Sequence, residues 1–586
     1  VLQVDVIHRC WMARICALKI DDKEYKTPAI LVPDDIYEHI GHDGADEVFI
    51  PYSNINIHEG LMIKIPLSVE DLVIADHGIG ENKDVFIVQR TYPEVLHEIG
   101  GIKGESPKVY VLMHALELIN HPRRLVNTLT ALRDNIPYQS LIYAPCTGIP
   151  GIITLLAYFG VDLYGIIPTI FDDRLTEYPY FINSFEQALS LLQQEVRTVR
   201  NAIEKGMLRE IVEMRAPMHR STIAALRIAD REMYQTIEKY CSMEGRVFAN
   251  TGESLNRPDI VRYRERVKNR YNGPRIARIL LLLPCSAKKP YSASLTHKKI
   301  ISVLQGTGIR AIVHEVIITS PLGVVPREVE IYYPAAHYDT PVTGVWDKNE
   351  VDIVADMIES VLEGMKYDYV FIHLPQSHGF IADMVDGIWT CKIDGEWRNP
   401  ASKEALENLG SEIKRIVEEY DVDSNLCQKR LEEDMLIRAK FQFGSDCGDV
   451  LMQSALVHGK YPDLKIVCER GKIGKLSQKH GGIILDYEGA RRVSRTKKYC
   501  VIVGDFTLRG DIFAPGVLWA DDDIRRGDEV VVLRTNIKDG AKDKDMEGDM
   551  GDEPIAVGRA LMFGEEMIKS SRGMAVKVRK RFHGVF

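Results

Sequence analysis

Over residues 1–250 short β-branched runs alternate with longer amphipathic segments. Residues 69–75, 85–88 and 109–113 have the apolar density of strands, whereas 123–133, 185–203, 209–215 and 223–240 repeat apolar positions at helical spacing. That alternation predicts a parallel α/β domain of barrel type. The pattern breaks at residues 250–274, rich in Arg, Asn, Gly and Pro and containing Arg262-Tyr263-Arg264-Glu265-Arg266. It then restarts with strands at 276–283, 311–318 and 369–374, and helices at 296–305 and 351–365, which together predict a second α/β unit. A helix over 403–420 leads into a third region, and from residue 509 short strands punctuated by Gly and Pro predict a small β-barrel.

The expected organisation is therefore an α/β multidomain chain: a barrel-like domain at 1–250, an α/β domain at 251–420, a small α+β domain at 421–508 and a β-barrel at 509–586. A chain of 586 residues is too long for one ordinary core, and 45% hydrophobic with 27% charged residues is a globular composition. Residues 539–553 carry seven acids and two lysines without an apolar period, which predicts a solvated loop. The apolar stretch at 151–170 contains Asp162 and Pro168, so it reads as buried globular structure and not as a membrane span. Ten cysteines with no C-x-x-C pair argue against a disulfide framework and a thiolate metal site. With no basic, apolar leader at the start of the sequence, the expected location is the cytoplasm.

Net charge of -10 gives no overall nucleic-acid signal, but its distribution does. Residues 458–500 hold eleven Lys/Arg against four Asp/Glu, and 569–586 hold six against none. Arg491, Arg492, Arg495, Lys497 and Lys498 in the first cluster, with Lys577, Arg579, Lys580 and Arg581 in the second, are the candidate phosphate contacts. Between the clusters comes Gly510-Asp511-Ile512-Phe513-Ala514-Pro515-Gly516-Val517, followed by Gly527-Asp528-Glu529-Val530, Ala556-Val557-Gly558-Arg559-Ala560 and Gly573-Met574-Ala575-Val576. This segment resembles a PUA domain, which implies RNA as the partner.

In the first domain, Thr27-Pro28-Ala29, the run Gly160-Val161-Asp162-Leu163-Tyr164-Gly165 with Pro168-Thr169, and the helix 195–203 resemble the tRNA-guanine transglycosylase family, a TIM-barrel fold. In active members the second run ends in the nucleophilic Asp. Gly165 stands there, so glycosyl transfer by that route is lost. The family's zinc-binding cysteines have no counterpart between Asp172 and Asn183, which implies that no zinc is held. Asp76-His77-Gly78 is a candidate relic of the family's other catalytic Asp, and Cys146 in Tyr143-Ala144-Pro145-Cys146-Thr147-Gly148 is either a second nucleophile or a packed structural cysteine.

The second domain carries Pro284-Cys285-Ser286-Ala287-Lys288-Lys289-Pro290-Tyr291-Ser292 between a strand and a helix, at the sheet edge where ligands bind. Cations beside a thiol lower its pKa, so Cys285 with Lys288 and Lys289 reads as an activated nucleophile. Ser286, Tyr291, Ser292, Ser294 and His297 add substrate-binding donors and a proton shuttle. On the residues alone, an anion-binding loop with a bystander Cys is the alternative. The loop, together with Ser320-Pro321-Leu322-Gly323-Val324-Val325-Pro326-Arg327-Glu328, Tyr333-Pro334-Ala335, Tyr338-Asp339 and residues 125–137, closely resembles the archaeosine synthase family; Thr296 replaces that family's usual Ser.

The resemblance implies a tRNA bearing 7-cyano-7-deazaguanine (preQ0) at position 15 of the D-arm, whose nitrile is converted toward an amidine. It also implies an amino-acid amine donor, lysine or glutamine, or ammonia, and a radical SAM partner enzyme; a homodimer is a further candidate assembly. No Walker loop or dinucleotide fingerprint occurs, and amine addition to a nitrile requires neither ATP nor a redox cofactor, so no cofactor is expected. In the mechanism expected here Cys285 attacks the nitrile, Lys288 or Lys289 stabilises the thiolate and His297 moves protons. A base-exchanging transglycosylase, a non-catalytic tRNA scaffold and a glycosidic-bond hydrolase are the alternatives.

Overall fold

The computed structural model describes residues 2–20, 23–32, 34–40, 48–55, 84–102, 106–166, 185–506, 508–535 and 553–582. The strand expected at 69–75, Asp76-His77-Gly78, Pro168-Thr169, the segment 172–183 and most of the acidic loop lie outside them. The chain forms two compact units: Val1–Gly245 with Phe513–Pro515 and Glu566–Met574, and Arg246–Ile512 with Gly516–Glu565 and Ala575–Phe586.

In the first unit six strands form a barrel-like parallel sheet in the order Phe49–Pro51, Ala29–Val32, Leu163–Gly165, Leu141–Ala144, Val109–Leu112 and Val85–Val88. Ala29–Val32, Val109–Leu112 and Leu141–Ala144 are buried at every position, as strands covered on both faces must be. Asp162 fastens this sheet: it accepts from Arg14 at 2.8 Å, from Arg133 at 2.9 Å and from the Ile142 amide at 2.9 Å. A buried carboxylate with two guanidinium partners is held well ionised, and its pKa is lowered although burial alone would raise it. Helix is interrupted where one continuous element was expected: Met233, at φ -113 and ψ 21, separates Arg220–Glu232 from Tyr234–Glu238.

The first α-helix of the second unit is Pro258–Arg270, where the sequence pattern suggested only a break. Pro258 occupies the first helical turn, and Ile260, Tyr263 and Val267 supply a buried face that the Arg-rich composition masks. Five strands follow in the order Gly323–Pro326, Val313–Thr319, Ile279–Pro284, Tyr369–Ile372 and Ile388–Trp389. The central Ile279–Pro284 is parallel to both neighbours. From it the chain passes through helix Leu295–Thr307 to one neighbour, and later through helix Lys348–Leu362 to the other. That reversal creates a crevice at the carboxyl edge of the central strand.

Helices Lys403–Ile416 and Ser424–Phe443 lead to a four-stranded antiparallel sheet over residues 456–485 and helix Tyr487–Ser494. Cys500–Val503 then pairs with Glu529–Arg534 and Val517–Ala520, so the C-terminal sheet takes in residues ahead of 509. Among the described residues no helix is long and apolar enough to cross a membrane.

Candidate active site

All six residues of Ile279–Pro284 are buried, and Cys285 is the first residue beyond them, at the crevice. The loop returns into helix Leu295–Thr307, whose N-cap Ser294 accepts from the His297 amide at 3.2 Å. The thiol of Cys285 is raised above its ordinary pKa by burial, against the charge of Lys289 and a hydrogen bond with the Thr319 side chain, both of which favour the thiolate. The sequence expectation of a thiol lowered by two lysines is thus corrected: desolvation outweighs the cation. The two lysines are also unequal. Lys289 is half-buried, with Nζ 4.1 Å from the centroid of the Tyr338 ring, and burial lowers its pKa while Asp339 and Cys285 oppose that change. Lys288 is exposed, and its carbonyl accepts from Ser286 Oγ at 3.1 Å.

Beneath the thiol lies a group of hydroxyls in which Thr319 is the member that the sequence alone did not single out. Tyr291, fully buried, hydrogen-bonds to Tyr338 and sits 3.4 Å from Thr319 Oγ1, and Thr319 hydrogen-bonds to Tyr338 in turn. Thr319 directly precedes Ser320-Pro321, so the motif boundary was the available signal. Ser292 donates its amide to Glu330 at 3.0 Å.

His297 does not have the freedom of a proton shuttle. It is fully buried, its Nδ1 accepts from Arg327 at 2.8 Å, and Nε2 therefore donates to the Pro284 carbonyl at 3.0 Å. Burial, reinforced by the Arg327 charge, pushes its pKa down to about 3. A neutral ring with both nitrogens engaged fixes the residue before Cys285. Arg327 is itself held by Glu315 at 2.9 Å and Glu330 at 2.8 Å, a buried charge network with every partner satisfied. Behind the loop, Ser292, Arg310, Arg327, Glu330, Arg438 and Tyr461 contribute to a cleft of about 670 Å3 whose walls do not include Cys285.

The equivalent place in the first unit is filled. A Cβ on Gly165 would stand 2.8 Å from the Cys146 amide nitrogen, 2.8 Å from the Tyr143 hydroxyl and 3.2 Å from Pro145 Cα. Tyr143 is buried and its hydroxyl lies 3.3 Å from that of Tyr52. No side chain, let alone a carboxylate, fits at 165 without displacing backbone. Cys146 follows strand Leu141–Ala144 at a left-handed φ of 57°, and burial pushes its thiol up to about 11.

Of the basic residues, Arg492 is a strut: it is buried, bonding Glu488 at 3.0 Å and the carbonyls of Leu451 at 2.9 Å and Gln453 at 2.6 Å. Arg491 pairs with Glu488 at 2.8 Å, Lys498 with Asp523 at 2.8 Å, Lys580 with Asp486 at 2.6 Å, and Arg579 with Glu529. Arg581 donates to the Arg509 carbonyl at 2.6 Å. Arg495 and Lys577 are exposed, and Lys497 is half-buried at φ 56°.

Two family models match the chain: a domain of unknown function, DUF5591, over residues 260–413, and the PUA domain over residues 504–582. The archaeosine synthase subunit alpha of Methanosarcina acetivorans is 35% identical over 524 residues, covering 81% of this chain and 80% of its own. The archaeosine synthase of Haloferax volcanii is 30% identical, covering 80% of this chain and 82% of its own. A tRNA-guanine(15) transglycosylase of Methanobrevibacter smithii is 26% identical, over 66% of this chain and 53% of its own. The filled barrel site, the PUA domain and the extent of these matches lead to one assignment: the chain belongs to the archaeosine synthase family.

Proposed function

We propose that this chain, a tRNA-modifying transferase of archaeosine biosynthesis, adds an amine to the nitrile of preQ0 at position 15 of tRNA, with Cys285 as nucleophile. The observation that carries the reading is the contrast at two strand ends: Cys285 stands beyond the central strand with Lys289 and Thr319 favouring its thiolate, while the place of the barrel nucleophile is closed by Tyr143 and the backbone at Cys146. Cys285 Sγ bonds to the nitrile carbon, one C–N π bond opens, and the thiol proton reaches the nitrogen by way of the Lys289 ammonium, giving a thioimidate. The amine nitrogen then attacks the same carbon, the C–S bond breaks, and the departing thiolate recovers a proton from the amine. The net change is addition of an amine across a nitrile, with nothing oxidised or reduced.

Lysine is the donor in this proposal, and its adduct passes to a radical SAM partner. Ser286, Tyr291, Ser292 and Ser294 shape the loop, and His297 is a positioning residue acting through the Pro284 carbonyl. The exposed cations of the two C-terminal clusters bind tRNA phosphates. Incubating preQ0-tRNA with lysine, glutamine or ammonia and weighing the digested nucleosides tests this. A nucleoside heavier by one lysine is expected; release of free base, or a product with none of the three amines, would overturn it.

A further inference from the structure

A nitrile on a base at position 15 can reach Cys285 only if that base leaves its stack in the folded tRNA, and a flipped base needs a surface to stack on. Three aromatic rings meet at the edge of the sheet where Cys285 lies. Helix Lys348–Leu362 precedes strand Tyr369–Ile372 and is capped by Asp347, so its N-terminus, with Trp346 just before it, lies at the strands' carboxyl edge. The segment Gln376–Asp383 leaves that strand at the same edge, and the strand is the direct neighbour of Ile279–Pro284.

There the Trp346 ring lies 5.0 Å from His378 and 5.2 Å from Phe380, and His378 stacks on Phe380 at 6.1 Å between centroids. Trp346 and Phe380 are half-buried, and the approach to Trp346 carries Val342 and Val345, which are 74% and 78% exposed. His378 supplies a second, independent mark. It is 6% exposed, its Nδ1 is 3.1 Å from Ser377 Oγ, and its buried Nε2 has no hydrogen-bond partner. A buried polar atom left unsatisfied is costly, so this nitrogen is poised to take a hydrogen-bond partner.

We infer that Trp346, Phe380 and His378 form the stacking site for the extruded deazaguanine base, with His378 Nε2 hydrogen-bonding to its polar edge; this rests on the function proposed above. The aromatic faces accept any planar base, and the imidazole, neutral because burial pushes its pKa down to about 4, can donate to a carbonyl or accept from a ring or exocyclic N–H. Charge would not select the base; stacking and one hydrogen bond would.

Single-turnover adduct formation on preQ0-tRNA tests the site, alongside tRNA affinity by filter binding. Trp346→Ala is expected to slow the reaction roughly ten- to a hundredfold, the usual loss for one base–aromatic stack, with tRNA affinity changed less than about threefold. Trp346→Phe should recover most of the rate, which a misfolded protein would not. Quenching of tryptophan emission by the free preQ0 nucleoside should be lost in Trp346→Phe. If Trp346→Ala and His378→Ala react at the wild-type rate while Cys285→Ala is inactive, the stacking site is wrong and the function stands. If Cys285→Ala also reacts at the wild-type rate, the assignment of the reaction to this loop fails first. If tRNA affinity and rate fall together, the aromatic patch binds another part of the tRNA, and the inference is overturned.

Discussion

Cys146 and Cys285 occupy the same kind of place, the first turn beyond a buried strand of a parallel sheet, and differ in what surrounds them. Cys146 has its pKa pushed to about 11 by burial, with no cation to oppose it, and its backbone together with Tyr143 leaves no room for a side chain at position 165. Cys285 is also buried and also raised, yet Lys289 and Thr319 work against the rise, and it stands at the carboxyl edge of a strand that is parallel to both its neighbours. Position at a strand end is therefore not enough to make a nucleophile. A nearby positive charge and a hydroxyl partner that favours the thiolate are what distinguish the second cysteine.

The largest expected effect separates the two directly. Cys285→Ser should lower adduct formation on preQ0-tRNA by at least about a thousandfold, as loss of a covalent nucleophile does, while Cys146→Ser should leave the rate within about twofold. Comparable losses in the two variants would erase the distinction.

Next in size is Lys289→Ala, expected to slow the reaction at pH 7 by roughly ten- to a hundredfold. The sign of its pH dependence follows from the thiol. Because the Cys285 pKa lies above its ordinary value, the thiolate fraction rises about tenfold per pH unit from pH 7 upward, and alkylation of Cys285 by iodoacetamide should follow that rise. Removing the cation raises the pKa further, so the Lys289→Ala profile should move to higher pH; an unmoved profile would show that Lys289 does not act on the thiol. Cys146 should alkylate far more slowly across the same range.

The smallest effect is on stability. Gly165→Ala forces a Cβ against backbone and a tyrosine hydroxyl, which should cost about 1–3 kcal/mol and lower the melting temperature of the first unit. Gly165→Asp should destabilise at least as much without restoring base exchange, measured as release of guanine from tRNA. Exchange by that variant would mean that the site is closed only by the missing carboxylate.

Much of this arrangement is legible in the sequence because it is local. An apolar run ending at Pro284, a loop with Cys285, and a Ser294 cap three residues before His297 specify strand, loop and helix without tertiary information. What is not legible depends on residues brought together from afar. The direction of the Cys285 shift is set by burial and by Thr319, thirty-four positions away in the chain, so counting adjacent lysines gives the wrong sign. The role of His297 depends on Arg327, and that of Arg492 on which face of helix Tyr487–Ser494 it occupies. Helix Pro258–Arg270 was hidden because its arginines dominate the composition, while only its spacing reports the buried face.

The most direct test is the mass of the Cys285 peptide after the enzyme has met preQ0-tRNA without any amine, followed by nuclease and protease digestion. A peptide heavier by the preQ0 nucleotide, absent from Cys285→Ser and discharged when lysine is added, is the expected result. An unmodified Cys285 peptide under conditions in which the same enzyme forms the amine adduct at its full rate would contradict covalent catalysis by this loop.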